Sequence, residues 1–154
     1  MIQQHLFGQQ QTEVTSDDYY TPKWIFDTLG LHFDLDVASP PHRTNVPCRR
    51  YFTQADDGLA QEWEGRVWMN PPFSKPALWV ERWLEHQNGV MLIQSSRAKW
   101  FSQLWDSDAS VVRTPHNLKF DRPDGAPVGI YMPAMIWAIG SENIEALHRL
   151  GVVR

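Results

Sequence analysis

The tetrapeptide Asn70-Pro71-Pro72-Phe73 directly follows an apolar run, Val67-Trp68-Met69, and its residue types suit one kind of chemistry. In an open α/β sheet, ligands bind outside the carboxyl ends of the strands, which is where a strand ending at Met69 delivers these residues. An amino group conjugated to a ring or a carbonyl is a poor nucleophile, because its lone pair is delocalised. Two acceptors gripping its two hydrogens favour a tetrahedral nitrogen and free the lone pair to attack a methyl donor. The Asn70 side-chain oxygen and the Pro71 carbonyl can supply them. The prolines restrict the backbone and preorganise those acceptors, and Phe73 offers a flat face on which a planar base can stack. No strong base is needed, since the proton becomes acidic once the methyl has moved. The competing interpretation is a proline-rich turn with an aromatic plug, and four residues alone match by chance too readily to exclude it.

The elements needed to position such a loop are legible in the surrounding pattern. Thr21-Pro22 reads as a hydroxyl N-cap with proline at the first helical position, and Trp24, Ile25 and Leu29 are the apolar positions of a helix that Gly30 stops. Phe33 to Ala38 alternates apolar and acidic residues and predicts a strand with its acids on one side. A loop runs from Ser39-Pro40-Pro41 to about Cys48. Arg50 to Thr53 is a short strand, and Asp57 to Trp63 a helix of one or two turns. Arg66 to Met69 is a third strand, broken by the prolines that follow. Leu78, Val80, Trp83 and Leu84 share a helical face, with Gly89 as the stop. Gly89 to Gln94 and Ala134 to Ile139 read as buried strands, and Ser110 to Arg113 and Asn117 to Phe120 as short ones. Ala98 to Trp105 and Glu142 to Leu150 read as helices, and Asp121 to Gly129 as loop. Strands alternating with helices predict an α/β fold with a mostly parallel sheet and helices on both faces.

The chain has 154 residues and a formal net charge of −4, which argues against non-specific coating of nucleic acid. The charge is unevenly divided: residues 1–64 carry ten acids and four bases, residues 65–154 eight acids and ten bases. One interpretation is ordinary surface scatter. The other is an acidic half that holds a cationic ligand and a second half that faces a polyanion. Arg97, Lys99, Arg113, Lys119 and Arg122 are the residues best suited to face DNA, with solvated surface as the alternative. Most of the eight tryptophans are expected in the core, Trp79 being the best exception because it closely follows the Asn70 loop. The histidines show no ligand spacing with Cys48 or one another, so no zinc site is expected. The acidic pairs Asp17-Asp18 and Asp56-Asp57 read as solvated or capping. A single cysteine, no run long enough to cross a bilayer and no export signal lead to a cytoplasmic expectation.

Several landmarks occur together and in order: Tyr20-Thr21-Pro22, Phe33-Asp34-Leu35-Asp36-Val37-Ala38-Ser39, Asp57-Gly58-Leu59 with Trp63, Val67 to Phe73, and the strand near Met91-Leu92-Ile93. In these the chain resembles the small phage-type DNA N-6-adenine methyltransferases, the Dam family, from about Tyr20 to Gly140. The resemblance implies a minimal Rossmann-like fold that binds S-adenosylmethionine and methylates the exocyclic N6 of adenine in DNA, with the adenine flipped out or the substrate single-stranded. By position it implies that Asn70, Pro71, Pro72 and Phe73 are the catalytic loop. Asp36, Ala38 and Ser39 would line the cofactor pocket, Thr21 and Pro22 would approach the methionine end, and Asp57 the adenosine end. The carboxylates complement the sulfonium and ammonium of that cofactor. A phage or prophage role in shielding DNA from restriction follows from the resemblance alone.

One departure stands out: methyltransferases in general place a glycine-rich turn after the first strand, and this chain has Ala38-Ser39-Pro40-Pro41. The interval from Asp36 to Asn70 is also short, so one or more helices are expected to be reduced to loop. Two other readings stay open, one in which the acceptor is an RNA adenine or a protein glutamine amide, and one in which the chain is a nucleic-acid or partner-binding module without activity. The expected organisation is a glutamine-rich arm over residues 1–18 and a single methyltransferase domain over 19–154, with no separate target-recognition domain. Such a chain would read DNA loosely, through loops 39–48 and 114–129, or with contacts from a second copy in a homodimer.

Overall fold

The computed structural model describes residues 20–41, 44–115, 118–121, 130–131 and 134–154. The expected arm over 1–18, Arg122 and the 122–129 part of the second reading loop lie outside the described residues.

The apolar runs form the sheet that their patterns predict. Strands β1 (Phe33–Asp36), β2 (Cys48–Tyr51), β3 (Val67–Met69), β4 (Gly89–Gln94), β5 (Ser110–Arg113) and β8 (Ala134–Ile139) make one six-stranded sheet in the order β2-β1-β3-β4-β8-β5. The first four strands are mutually parallel, while β8 runs antiparallel to both β4 and β5. A separate ribbon pairs β6 (Lys119–Phe120) with β7 (Ile130–Tyr131). After β1 the chain steps to one side for β2 and then crosses to the other side of β1 for β3. That reversal puts a topological switch point at the carboxyl ends of β1 and β3, where open sheets bind ligands.

Helices cover both faces. Helices α1 (Lys23–Leu29) and α4 (Ser141–Leu147) pack Ile25, Phe26, Leu29, Ala146 and Leu147 against Trp68, Leu92 and Ile136. On the other face α2 (Ala77–His86) and α3 (Lys99–Trp105) pack Val80, Trp83 and Leu104 against Val67, Met91 and Trp137. Both exposed edges of the sheet are managed. The C-terminal residues close the β5 side, with Val111 and Arg154 exchanging backbone hydrogen bonds of 2.8 and 2.9 Å. Edge strand β2 presents exposed Arg49 and Arg50, which discourage edge-to-edge pairing. Among the described residues no helix is long and apolar enough to cross a membrane.

Five local expectations are corrected. Pro22, not Thr21, is the N-cap of α1, and no side chain caps it. Gly30 ends that helix at φ 64°, as expected. The Asp57–Trp63 helix is replaced by two short 3-10 turns, Gln54–Asp56 and Gly58–Ala60, because Asp57 between them lies at φ 53° and cannot continue a helix. Helix α2 stops at Gln87 (φ 63°), and Gly89 instead begins β4, where a Cβ would press on the Val67 carbonyl and the Trp83 indole. Leu78 is 66% exposed rather than on the buried face of α2. The alternation of β1 also slips: the Asp34 and Leu35 amides both donate to the Arg66 carbonyl, at 2.8 and 3.3 Å. This bulge sends Phe33 into one core layer and Leu35 and Val37 into the other, so the two acids do not act as one row. No α-helix occurs between β1 and β3 among the described residues, in line with the short interval.

Candidate active site

A cleft open to solvent lies at the switch point, lined by Tyr20, Thr21, Asp36, Ala38, Pro40, Asn45, Val46, Trp68 and Asn70. Strand β1 supplies Asp36 and β3 supplies Trp68, with Asn70 just past its end. The segment before α1 supplies Tyr20 and Thr21, since α1 runs back antiparallel to β1 and begins at the carboxyl edge. Trp68 is fixed by edge-on contacts with Phe26 and Phe33, with ring centroids 4.7 and 5.6 Å away. It gives the cleft a rigid apolar floor.

Asp36 is 2% exposed. Its Oδ2 accepts the Thr44 hydroxyl at 2.6 Å and its Oδ1 accepts the Ala38 N–H at 3.2 Å. Burial pushes its pKa up to about 6, against these two hydrogen bonds, which favour the ionised form. No basic side chain pairs with it among the described residues. A buried carboxylate held by neutral donors is costly unless something positive meets it. Beside it, burial and the Asp36 charge push the Cys48 thiol up to about 11.

The Asn70 side chain makes no hydrogen bond among the described residues, although it is only half exposed on the cleft wall. Pro71 is buried. The Pro72 carbonyl accepts the Lys75 N–H at 3.1 Å and closes a turn, whereas no hydrogen bond among the described residues uses the Pro71 carbonyl. The two acceptors expected to grip an amino group are therefore uncommitted. Phe73 is half-buried and packs against both core layers, so the ring that follows the loop also anchors it.

A glycine does meet the end of β1, but it serves packing and does not line the cleft. The Gly58 backbone packs so closely on Val37 that a Cβ there would collide with the Val37 carbonyl oxygen, and Trp79 lies on the same spot. Trp79 stacks on Trp63 with centroids 6.4 Å apart, and Trp63 donates its indole N–H to the Gly58 carbonyl at 2.8 Å. Trp79 thus braces the loop behind β1. Its place in sequence after Asn70 does not bring it into the cleft lining.

Of the residues expected at a cofactor, Thr21, Asp36 and Ala38 line the cleft. Pro22 and Ser39 are buried beside it without lining it, and Asp57 is exposed between the 3-10 turns. Arg97, Lys99 and Arg113 are exposed at the carboxyl edge: Arg97 shortly follows β4, Lys99 opens α3 and Arg113 ends β5. Lys119 is exposed on the β6–β7 ribbon, which Tyr20 joins through backbone bonds of 2.9 and 3.0 Å to Asp121. Tyr20 and Asn45 line the cleft and Thr44 holds Asp36; of these only Tyr20 was legible in sequence, as part of the Tyr20-Thr21-Pro22 landmark.

A family model described as DNA N-6-adenine-methyltransferase (Dam) matches residues 9–120. The chain is 34% identical over 96 residues to a DNA N-6-adenine-methyltransferase of Haemophilus phage HP1 (strain HP1c1), covering 55% of this chain and 54% of that protein. It is 24% identical over 113 residues to a DNA N-6-adenine-methyltransferase of Escherichia phage T1, covering 68% of this chain and 48% of that one. The chain thus spans about half the length of the curated relatives it matches. No solved structure matches it. Because the matched stretch takes in every element from α1 to β6, cleft and Asn70 loop included, the chain belongs to the DNA N-6-adenine-methyltransferase (Dam) family.

Proposed function

We propose that this chain transfers a methyl group from S-adenosylmethionine to the exocyclic N6 of an adenine in DNA. The observation that carries the reading is the pairing, across one cleft at the switch point, of an uncommitted Asn70 with a buried Asp36 that lacks a basic partner among the described residues. The names of the two phage relatives agree with it. When bound, S-adenosylmethionine supplies an electrophilic methyl on a sulfonium, together with an ammonium group. The acidic pocket fits that charge, and Asp36, Thr21 and Ala38 would hold it.

The chain's own residues do the rest. Asn70 Oδ1 and the Pro71 carbonyl accept the two amino hydrogens of the adenine and free the nitrogen lone pair. The buried Pro71 keeps these acceptors from reorganising during the step. The adenine must leave its stack to reach them, because the cleft lies inside the sheet edge. Arg97, Lys99 and Arg113 lie on the β4–β5 side of Asn70, away from Asp36, and face the phosphates.

Incubation with labelled S-adenosylmethionine and unmethylated DNA should yield N6-methyladenine, read by mass spectrometry. Asn70→Ala should lose at least about 100-fold in turnover, the scale of removing one preorganised catalytic hydrogen bond, while cofactor binding persists. Undiminished product from that variant would remove Asn70 from the chemical step. RNA adenine and glutamine-containing peptides in the same assay identify any other acceptor. The phage origin of the relatives supports a role in marking phage or prophage DNA against restriction.

A further inference from the structure

We infer that Thr44 is a positioning residue of this site, its hydroxyl fixing the Asp36 carboxylate in the orientation that receives a cationic ligand. This rests on the reading of the cleft as the S-adenosylmethionine site. The terminal torsion of an aspartate is broad and roughly two-fold, so a carboxylate that must present a chosen oxygen needs donors to hold it. Ala38 N–H holds Oδ1 at 3.2 Å, and Thr44 holds Oδ2 at the shorter distance of 2.6 Å.

The Thr44 hydroxyl sits among three groups: its oxygen accepts the Val46 N–H at 3.0 Å, the Cys48 thiol lies within its hydrogen-bonding reach, and the short 2.6 Å contact directs its one hydrogen to Asp36. The next residue, Asn45, donates its Nδ2 to the Thr21 carbonyl at 2.6 Å. One short segment between prolines therefore ties down both walls of the cleft, the end of β1 and the start of α1. Its role goes beyond shape, because the Thr44 hydrogen bond acts on the charge state of the acid. Around Asp36 the described residues contribute Tyr20 and Thr21 from the segment before α1, Cys48 from β2, Trp68 from β3 with Asn70 just past its end, and Thr44 and Asn45 from the loop. Of these the Cys48 thiol is pushed up to about 11, well away from Asp36. A titration midpoint near 6 in this cleft belongs to Asp36.

Two measurements on Thr44→Val and Thr44→Ser test the inference. In the free protein, the Asp36 carboxyl is titrated by carbon-13 NMR. Removing a hydrogen bond to the charged form should raise its midpoint by about one unit in the valine variant and leave it in place in the serine variant. S-adenosylmethionine binding is then followed by calorimetry from pH 5.5 to 8. The valine variant should bind about tenfold more weakly at pH 8 and lose more towards pH 6, while serine restores wild-type behaviour. A valine variant with an unmoved midpoint, a loss equal at every pH, or a serine variant as impaired as valine would each overturn the role. If Thr44→Val melts before assay, Thr44→Ala takes its place with the same criteria. A wild-type chain that binds no S-adenosylmethionine would sink the cofactor reading, while the carboxyl titration still judges Thr44 by itself.

Discussion

Burial raises the Asp36 pKa from 3.8 to about 6, so between those values the folded chain keeps a proton that the unfolded chain has released. The folded state binds more protons in that window, and stability therefore falls as pH rises from about 4 to 6. Above pH 6 the buried carboxylate is charged, at a cost on the order of 3 kcal/mol. Asp36→Asn removes that cost. Its amide can still accept the Ala38 N–H and present its NH2 to the Thr44 oxygen. Denaturant unfolding at pH 7.5 should show the asparagine variant about 1–3 kcal/mol more stable than wild type, with the gain vanishing near pH 4. The same variant should lose affinity for S-adenosylmethionine, because a cation prefers the ionised acid. In the wild type that affinity should fall as pH drops through about 6. An asparagine variant with no pH-dependent stability gain would show that the buried charge is not the cost assigned to it.

Among the elements, the two ends of the sheet divide the labour. The carboxyl ends of β1 and β3 carry the cleft, and the amino ends carry a structural network. There Arg66 donates from Nε to Asn143 Oδ1 at 2.6 Å and from a terminal nitrogen to the His32 carbonyl at 3.1 Å. Asn143, which is buried on α4, donates to Asn88 Oδ1 and to the Ile139 carbonyl, both at 2.8 Å. Four strands and α4 are joined at that edge through one amide. The Arg66–Glu142 ion pair at 2.6 Å adds little, since Glu142 is largely exposed. Asn143→Ala strips partners from Arg66 and Asn88 and should cost about 1–3 kcal/mol, measured by chemical denaturation. Its affinity for S-adenosylmethionine below the melting range should stay within twofold of wild type, about the scatter of an uncoupled site. Loss of affinity in parallel with stability would mean that the two edges are coupled.

Across the whole molecule, the uneven charge of the sequence becomes a spatial order along one edge of the sheet. Reading outward from β1, the edge presents the buried Asp36, then Asn70, then the exposed cations Arg97, Lys99 and Arg113 around β4 and β5. These three cations form no ion pair among the described residues, so their charge is available to a polyanion. Under the proposed function, a cationic cofactor and an anionic strand would be drawn to opposite sides of Asn70. Binding to a DNA duplex should weaken linearly in log–log plots against salt. Arg97→Gln, Lys99→Gln and Arg113→Gln should each reduce the slope by about one, with little effect on cofactor binding. A variant with an unchanged slope would remove that residue from the phosphate path.

The sequence by itself determined the six strands of the main sheet, that the sheet is mostly parallel, and that the Asn70 loop follows a strand end. Apolar runs such as Gly89–Gln94 and Ala134–Ile139 have one stable use in a chain this size, and Asn70-Pro71-Pro72 must follow a strand end because proline cannot continue the ladder. Membership of the methyltransferase family was legible for the same reason, since its landmarks are local in sequence. Tertiary structure alone decided which residues surround Asp36. The Thr44 hydroxyl reaches from a loop back to β1, the Asn45–Thr21 tie and the fit of Gly58 on Val37 join segments further apart, and no periodicity encodes a partner across a loop. The bulge at Asp34–Leu35 likewise depends on the Arg66 carbonyl from another strand. Local pattern sets the elements because it reports how each segment buries its own apolar face. The pocket forms where those elements meet, so its hydrogen bonds and its raised acid were set only by packing.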